Sequence, residues 1–239
     1  MAIEELALFL VIFSSCFIAI HLFIGCKMIL KYFSNRRIEL ITTGLAWIFL
    51  SMIWWGVPLY MLSILINFKF HDGIYLAVGL AIPEIALLFW IISVSFLAIP
   101  NHKKPIIIIF SIVITIYEII FVVFLFIRIE LIGYVIGGFY FYPSLITLIA
   151  LACTGIIGLI FALILGKNLF KADDPKIKWK GKFLILAFIA ILSGGLLEIL
   201  FPLDITIFII ARSILLLAGI LYYFAFFLPE RIANFLVKG

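Results

Sequence analysis

The sequence predicts an all-α polytopic membrane protein: a seven-transmembrane helix bundle, built as a single domain over residues 1–239 and closed by a short C-terminal amphipathic helix. Three observations carry that prediction. The chain is 67% hydrophobic and 12% charged, with a mean hydropathy of +1.41, whereas a soluble domain is about 45 to 50% apolar. Its apolar residues fall in unbroken runs of roughly 20 or more, the length an α-helix needs to cross a bilayer; a membrane barrel would show shorter, alternating segments. Fourteen of its seventeen basic residues crowd alternate connections between these runs, the charge pattern of a multi-pass chain.

The N-terminus, Met1-Ala2-Ile3-Glu4-Glu5, is acidic where a secretory signal is basic, and no small-residue cleavage site follows. The first run, 6–28, is therefore expected to remain as a helix. The second, 41–66, contains Gly56 and Pro58, and the third, 74–99, carries Pro83 and Glu84 near its middle. An interior proline removes one backbone hydrogen bond and crowds the preceding turn, so both helices are expected to kink. A basic turn from Pro100 to Pro105 leads into the fourth helix, 106–127, with Glu118 inside it. The connection 128–143 ends in Gly137-Gly138-Phe139-Tyr140-Phe141-Tyr142-Pro143, aromatic in the manner of a membrane-water belt. The fifth helix, 144–166, is followed by the most charged connection, 167–182, with six lysines and two aspartates. Helices at 183–203 and 205–227 complete the seven. In the tail, 229–238, Ile232, Phe235 and Leu236 share a helical face opposite Arg231, Asn234 and Lys238, the pattern of an interfacial helix.

The connections after the first, third and fifth helices and the tail hold four, two, six and two basic residues. The positive-inside rule then places the N-terminus outside and the C-terminus in the cytoplasm of a cell membrane. The isoelectric point near 9.1 thus answers to topology and to anionic headgroups of the lipid bilayer, and nothing calls for nucleic acid. Cys16, Cys26 and Cys153 lack the spacing of metal sites or disulfide frameworks and are expected as small buried side chains.

Charges inside the apolar runs are the informative exceptions. An ionisable group in hydrocarbon costs roughly 2.5 to 3.5 kcal/mol on insertion scales, so it is paired, neutralised or open to an internal cavity. Glu84, Glu118, Glu198 and Arg212 are such residues. Small and polar side chains recur beside them at helical spacing, as in Ser111, Thr115 and Glu118, in Thr147 and Thr154, and in Gly194, Glu198 and Pro202. Similar stripes run through Ser14, His21 and Gly25 and through Gly44, Trp47 and Ser51. In a membrane such stripes face other helices. At ~1.5 Å per residue from the predicted outer ends, the four charges lie about 8 to 15 Å deep. One outer-half layer of three carboxylates and one guanidinium is expected, with Glu198 and Arg212 facing each other across a very short turn. The arginine can hold one or two carboxylates, and the remaining charge calls for a proton or a bound cation. Trp54, Trp55, Tyr60 and Tyr117 are the aromatic residues expected to line such a site. The same layer also fits a simple polar clamp on helix packing. His21, with no second histidine at metal spacing, reads as a packing side chain.

Several chemistries find no support. The last helix has no lysine for a retinal Schiff base, and a single intramembrane histidine cannot make a bis-histidine haem site. A His-Glu-x-x-His run, a facing aspartate pair and a phosphate-binding glycine loop are missing. No enzyme activity, cofactor or metal is expected.

The segment Leu221-Tyr222-Tyr223-Phe224-Ala225-Phe226-Phe227-Leu228-Pro229, followed by the amphipathic stretch from Arg231 to Leu236, resembles the end of the seven-helix N-terminal sensory region of prokaryotic histidine kinases. In that family an aromatic-rich last helix ends in proline before a short amphipathic segment. The resemblance implies a seven-helix sensor; here no output domain follows, so a signal would pass to a separate partner. The topology is also similar to that of G-protein-coupled receptors, but the inner end of the third helix reads Phe96-Leu97-Ala98-Ile99-Pro100 in place of Asp-Arg-Tyr. The expected function is a receptor or sensor that binds a small molecule, cation or proton near Glu84, Glu118, Glu198 and Arg212. Its partner-facing surface would be the 167–182 connection. The alternatives are a small proton-coupled carrier, which an internal repeat would favour but no convincing repeat supports, and a structural membrane subunit.

Overall fold

A computed structural model describes residues 2–136, 140–201 and 205–238. Gly137, Gly138 and Phe139 of the aromatic connection, and Pro202, Leu203 and Asp204 of the last turn, lie outside the described residues. Among the described residues the fold is helical, with six helices long and apolar enough to cross a membrane and a seventh span if one bent pair is counted together. The chain divides into two compact units, Met1–Gly155 and Ile156–Gly239.

In the first unit, α1 (Ala2–Asn35) packs along α2 (Ile38–Leu50). Their axes approach closely because Gly25 and Gly44 meet: a Cβ on Gly44 would stand 2.6 Å from the Gly25 carbonyl oxygen. Small residues permit this approach, and in lipid close packing takes the place of a hydrophobic drive. Arg36 closes α1 in the left-handed region (φ 53°), its N–H donating to the Tyr32 carbonyl at 2.7 Å. α2 also packs on α5 (Ile82–Ala98), where the Thr43 and Ser93 hydroxyls hydrogen-bond between buried faces.

The two expected proline effects take different forms. After a 3₁₀ turn at Ser51–Trp54, α3 (Gly56–Leu65) leaves at 62° to the preceding helix. Pro58 sits four residues beyond Trp54, where its ring crowds the carbonyl that the bend moves aside. Pro83 does not break its span, which is continuous over Asp72–Ala98. Instead α4 (Asp72–Leu76) passes through a π turn, Ala77–Ala81, into α5. The widened turn contains Gly79, the residue four before Pro83, and so absorbs the clash without a sharp kink.

α6 (Lys103–Ile127) buries only Ile114 and Phe121 fully. The rest of its surface is apolar and exposed, as suits a lipid-facing helix. The aromatic connection at 128–143 holds two antiparallel strands, β1 (Gly133–Ile136) and β2 (Tyr140–Pro143), pairing Gly133 with Pro143 and Val135 with Phe141. Phe141 seats its ring against Gly79. The Ile132 carbonyl accepts from Thr147 Oγ1 and from Ser144 N, each at 2.8 Å, and so ties the base of the two strands to the start of α7 (Leu145–Phe170).

In the second unit, α8 (Pro175–Leu200) and α9 (Ile205–Phe227) lie against each other, with Leu215 packed on Gly194. α10 (Glu230–Lys238) follows as an amphipathic helix. Ala233 is buried, Leu236 is half-buried, and Phe235 is exposed. The Trp179 indole N–H donates to the Leu236 carbonyl at 3.1 Å, which fastens α10 to α8.

Two expectations need correction. The 167–182 segment is not one long connection: α7 runs to Phe170, and α8 starts at Pro175 behind an Asp174 cap that accepts from Lys176 N at 2.8 Å. Lysines are good helix formers, and a capped proline start is a strong helix signal, so both helices extend past the apolar runs. Cys16, Cys26 and Cys153 are exposed rather than buried, because their helices turn these faces away from protein neighbours.

Candidate functional site

In the first unit, Glu84 is the third residue of α5, immediately after the π turn. An extra residue in one turn rotates everything that follows by about 100° around the axis. Glu84 faces the interior, only 6% exposed. Its Oε2 accepts the Thr154 hydroxyl from α7, and its Oε1 is buried with no hydrogen-bond partner. Glu118 and Tyr117 are presented by the inward face of α6, between Ile114 and Phe121 at i, i+3, i+4, i+7 spacing. Glu118 Oε1 and the Tyr117 hydroxyl are likewise buried without partners. The two carboxylates lie within electrostatic range of each other, and both act on the Tyr117 hydroxyl. Thr115, expected on the same stripe, is exposed instead.

No lysine, arginine or histidine among the described residues forms an ion pair with Glu84 or Glu118. Buried polar atoms nearly always have partners, and each exception asks for a cause such as a bound ion or water. Here the exceptions are all oxygen atoms, two from acids and one from a phenol, with the Thr154 hydroxyl beside them. Oxygen ligands suit a hard cation, an ammonium group or a proton. Among the described residues no group of three or more His, Cys, Asp or Glu side chains has metal-binding geometry.

The second unit holds the other two charges of the expected layer. Arg212 on α9 is 3% exposed and donates from Nη2 to Glu198 Oε1 on α8. Its guanidinium also lies 4.9 Å from the Phe208 ring centroid, a cation–π contact within its own helix. Glu198 sits two residues before the end of α8 and Arg212 seven after the start of α9. The long arginine stem makes up the difference in height, and Gly194 lets the helices approach closely enough for it to do so. The acid here is balanced by a base.

The aromatic residues divide. Tyr117 belongs to the acid cluster. Trp54 is buried in a ring cluster, 4.2 Å from the Phe17 centroid, while Phe17 stacks at 3.8 Å on His21. Trp55 donates its indole N–H to Ser51 Oγ at 3.2 Å, bracing the 3₁₀ turn. The Tyr60 carbonyl accepts the Ser63 hydroxyl at 2.6 Å. His21 is fully buried, its Nδ1 at 2.8 Å from the Phe17 carbonyl. Thr154 lies on a polar stripe of the sequence; its repeat with Thr147, seven residues apart, is the signal that this face of α7 meets polar groups.

No family model matches the chain, and no significant match is found among curated proteins or solved structures. Fold and site together define the class: a multi-pass helical membrane protein with a buried Glu84 and a half-buried Glu118 in one unit, neither in an ion pair among the described residues, and the Arg212–Glu198 ion pair in the other.

Proposed function

We propose that the chain is a receptor- or sensor-like membrane protein in which Glu84, Glu118 and Tyr117 take up a cation or a proton. The observation that carries this reading is the set of three buried oxygen atoms without partners, two of them on acids lacking a counter-charge. In hydrocarbon such a pair is costly unless a positive charge joins it, so occupancy and helix packing are coupled. The π turn before Glu84 is an adaptable element at which the coupling can be expressed, since π turns gather at functional positions. The N-terminus is taken as outside, and the lysine-rich end of α7 and α8 is the face offered to a separate signalling partner. The test is a screen of thermal unfolding of the purified chain in nanodiscs against sodium, potassium, calcium and small organic ammonium ions. Stabilisation by one class of cation supports the reading; indifference to every cation and to pH defeats it.

One observation favours a carrier as the second reading. The Ile38–Trp54 and Gly56–Leu65 pair is bent by 62°, as in a broken span or a re-entrant loop, and broken spans often accompany transport sites. Cation or proton flux into sealed vesicles separates the two, because a sensor binds without flux.

A further inference from the structure

At the basic end of the second unit, a cavity of about 300 Å³ is lined by Phe170, Pro175, Lys178, Trp179 and Lys182. Its walls come from the last residue of α7 and the first turns of α8. Lys178 and Lys182 stand one helical turn apart on the same face, and neither forms an ion pair among the described residues. The nearest capping acid, Asp174, is engaged at the α8 N-terminus with Lys176 N. No acid lines the cavity. Lys182 Nζ lies 3.9 Å from the centroid of the Trp179 ring, and the indole N–H is held by the Leu236 carbonyl of α10. One wall is thus fixed by a helix whose apolar residues and exposed Phe235 suit the headgroup layer.

We propose that this cavity binds the phosphate headgroup of an anionic phospholipid, with Lys178 and Lys182 on the phosphate and Phe170 and Trp179 against the upper acyl chains. Two ammonium groups without an ion pair among the described residues supply the charge, and the aromatic side chains of Phe170 and Trp179 supply the apolar contact that a free anion would not use. Basic pockets between helices at the membrane surface recognise lipid headgroups in this way. The site goes beyond the acid cluster and does not depend on it. The lysines outside the cavity are left for a protein partner.

The test titrates the detergent-solubilised full chain with dioleoylphosphatidylglycerol, dioleoylphosphatidylcholine or inorganic phosphate and reads thermal unfolding. Saturable stabilisation by phosphatidylglycerol alone is expected. A Lys178→Gln/Lys182→Gln variant should need roughly tenfold or more lipid for the same shift, given about 1 kcal/mol per lysine near an anionic surface. Both lysines are exposed, so the variant should still fold. A charge-matched control, Lys103→Gln/Lys104→Gln, should titrate as the unaltered chain does. Equal stabilisation by inorganic phosphate or by phosphatidylcholine would overturn the proposal, as would equal losses in the two double variants.

Discussion

Thr154 donates its hydroxyl to Glu84 Oε2, while Glu84 Oε1 is buried without a partner. The threonine satisfies half of a carboxylate and leaves the other half without a hydrogen bond, within electrostatic range of Glu118. Thr154→Val keeps the shape and deletes the donor. It should cost about 1 to 3 kcal/mol, the scale for orphaning a buried hydrogen-bonding group, and should weaken any cation-dependent stabilisation. Thr154→Ser, which keeps the donor, should stay near the unaltered chain in both thermal-unfolding readouts.

Arg212 and Glu198 predict the opposite energetics, because each charge has its partner. Removing one deprives the other of this charged partner, at a cost on the order of 3 to 5 kcal/mol. Arg212→Met and Glu198→Gln should each destabilise strongly, and the double variant should be less destabilised than their sum. A double-mutant cycle on the unfolding free energy measures the coupling.

The glycines of the helix crossings give a geometric prediction. At Gly44 a Cβ would meet the Gly25 carbonyl oxygen at 2.6 Å, whereas around Gly195 nothing lies within 4 Å. Gly44→Ala should lower stability by about 1 to 3 kcal/mol, the cost of overpacking. Gly195→Ala should be neutral or stabilising by up to about 1 kcal/mol through helix propensity. Equal effects of the two would deny the close α1–α2 contact.

Gly79 extends the same test to the π turn. A Cβ there would stand 2.6 Å from Phe141 Cε1, at the edge of a side chain rather than against backbone. Gly79→Ala should destabilise, and adding Phe141→Ala should recover part of the loss, read as a positive coupling in unfolding free energy.

How far the sequence foretold this arrangement differs from element to element. Long apolar runs announce membrane helices because an unbroken run satisfies its own backbone in lipid as a helix, whereas barrel strands are short and alternating, and the Gly194–Glu198 and Arg212 stripes bring an acid and a base to facing helices. The paired strands 133–136 and 140–143 are hidden because each is only four residues long and the second, Tyr140-Phe141-Tyr142-Pro143, carries the same composition as an interfacial belt. The π turn was hidden for a different reason: Pro83 announces a disturbance, but whether a helix bends, as near Pro58, or widens depends on neighbours such as Phe141. Of the expected layer of four charges, the sequence sets Glu198 opposite Arg212 across the short turn but does not say which acids go without a base. Arg212 and Glu198 meet through a side-chain reach that depth along a helix does not reveal, and Thr154 serves Glu84 through a contact 70 residues apart in the chain.

The central claim is that Glu84 and Glu118 await a positive charge, and neutral isosteres test it most directly. The measurement is thermal unfolding of the unaltered chain and of Glu84→Gln/Glu118→Gln from about pH 4 to 9, with and without sodium, potassium or tetramethylammonium. The account predicts that the stability of the unaltered chain depends on pH or on one of these cations and that the double variant loses that dependence while remaining folded. An unaltered chain indifferent to both, or a double variant that responds as fully as the original, would contradict it.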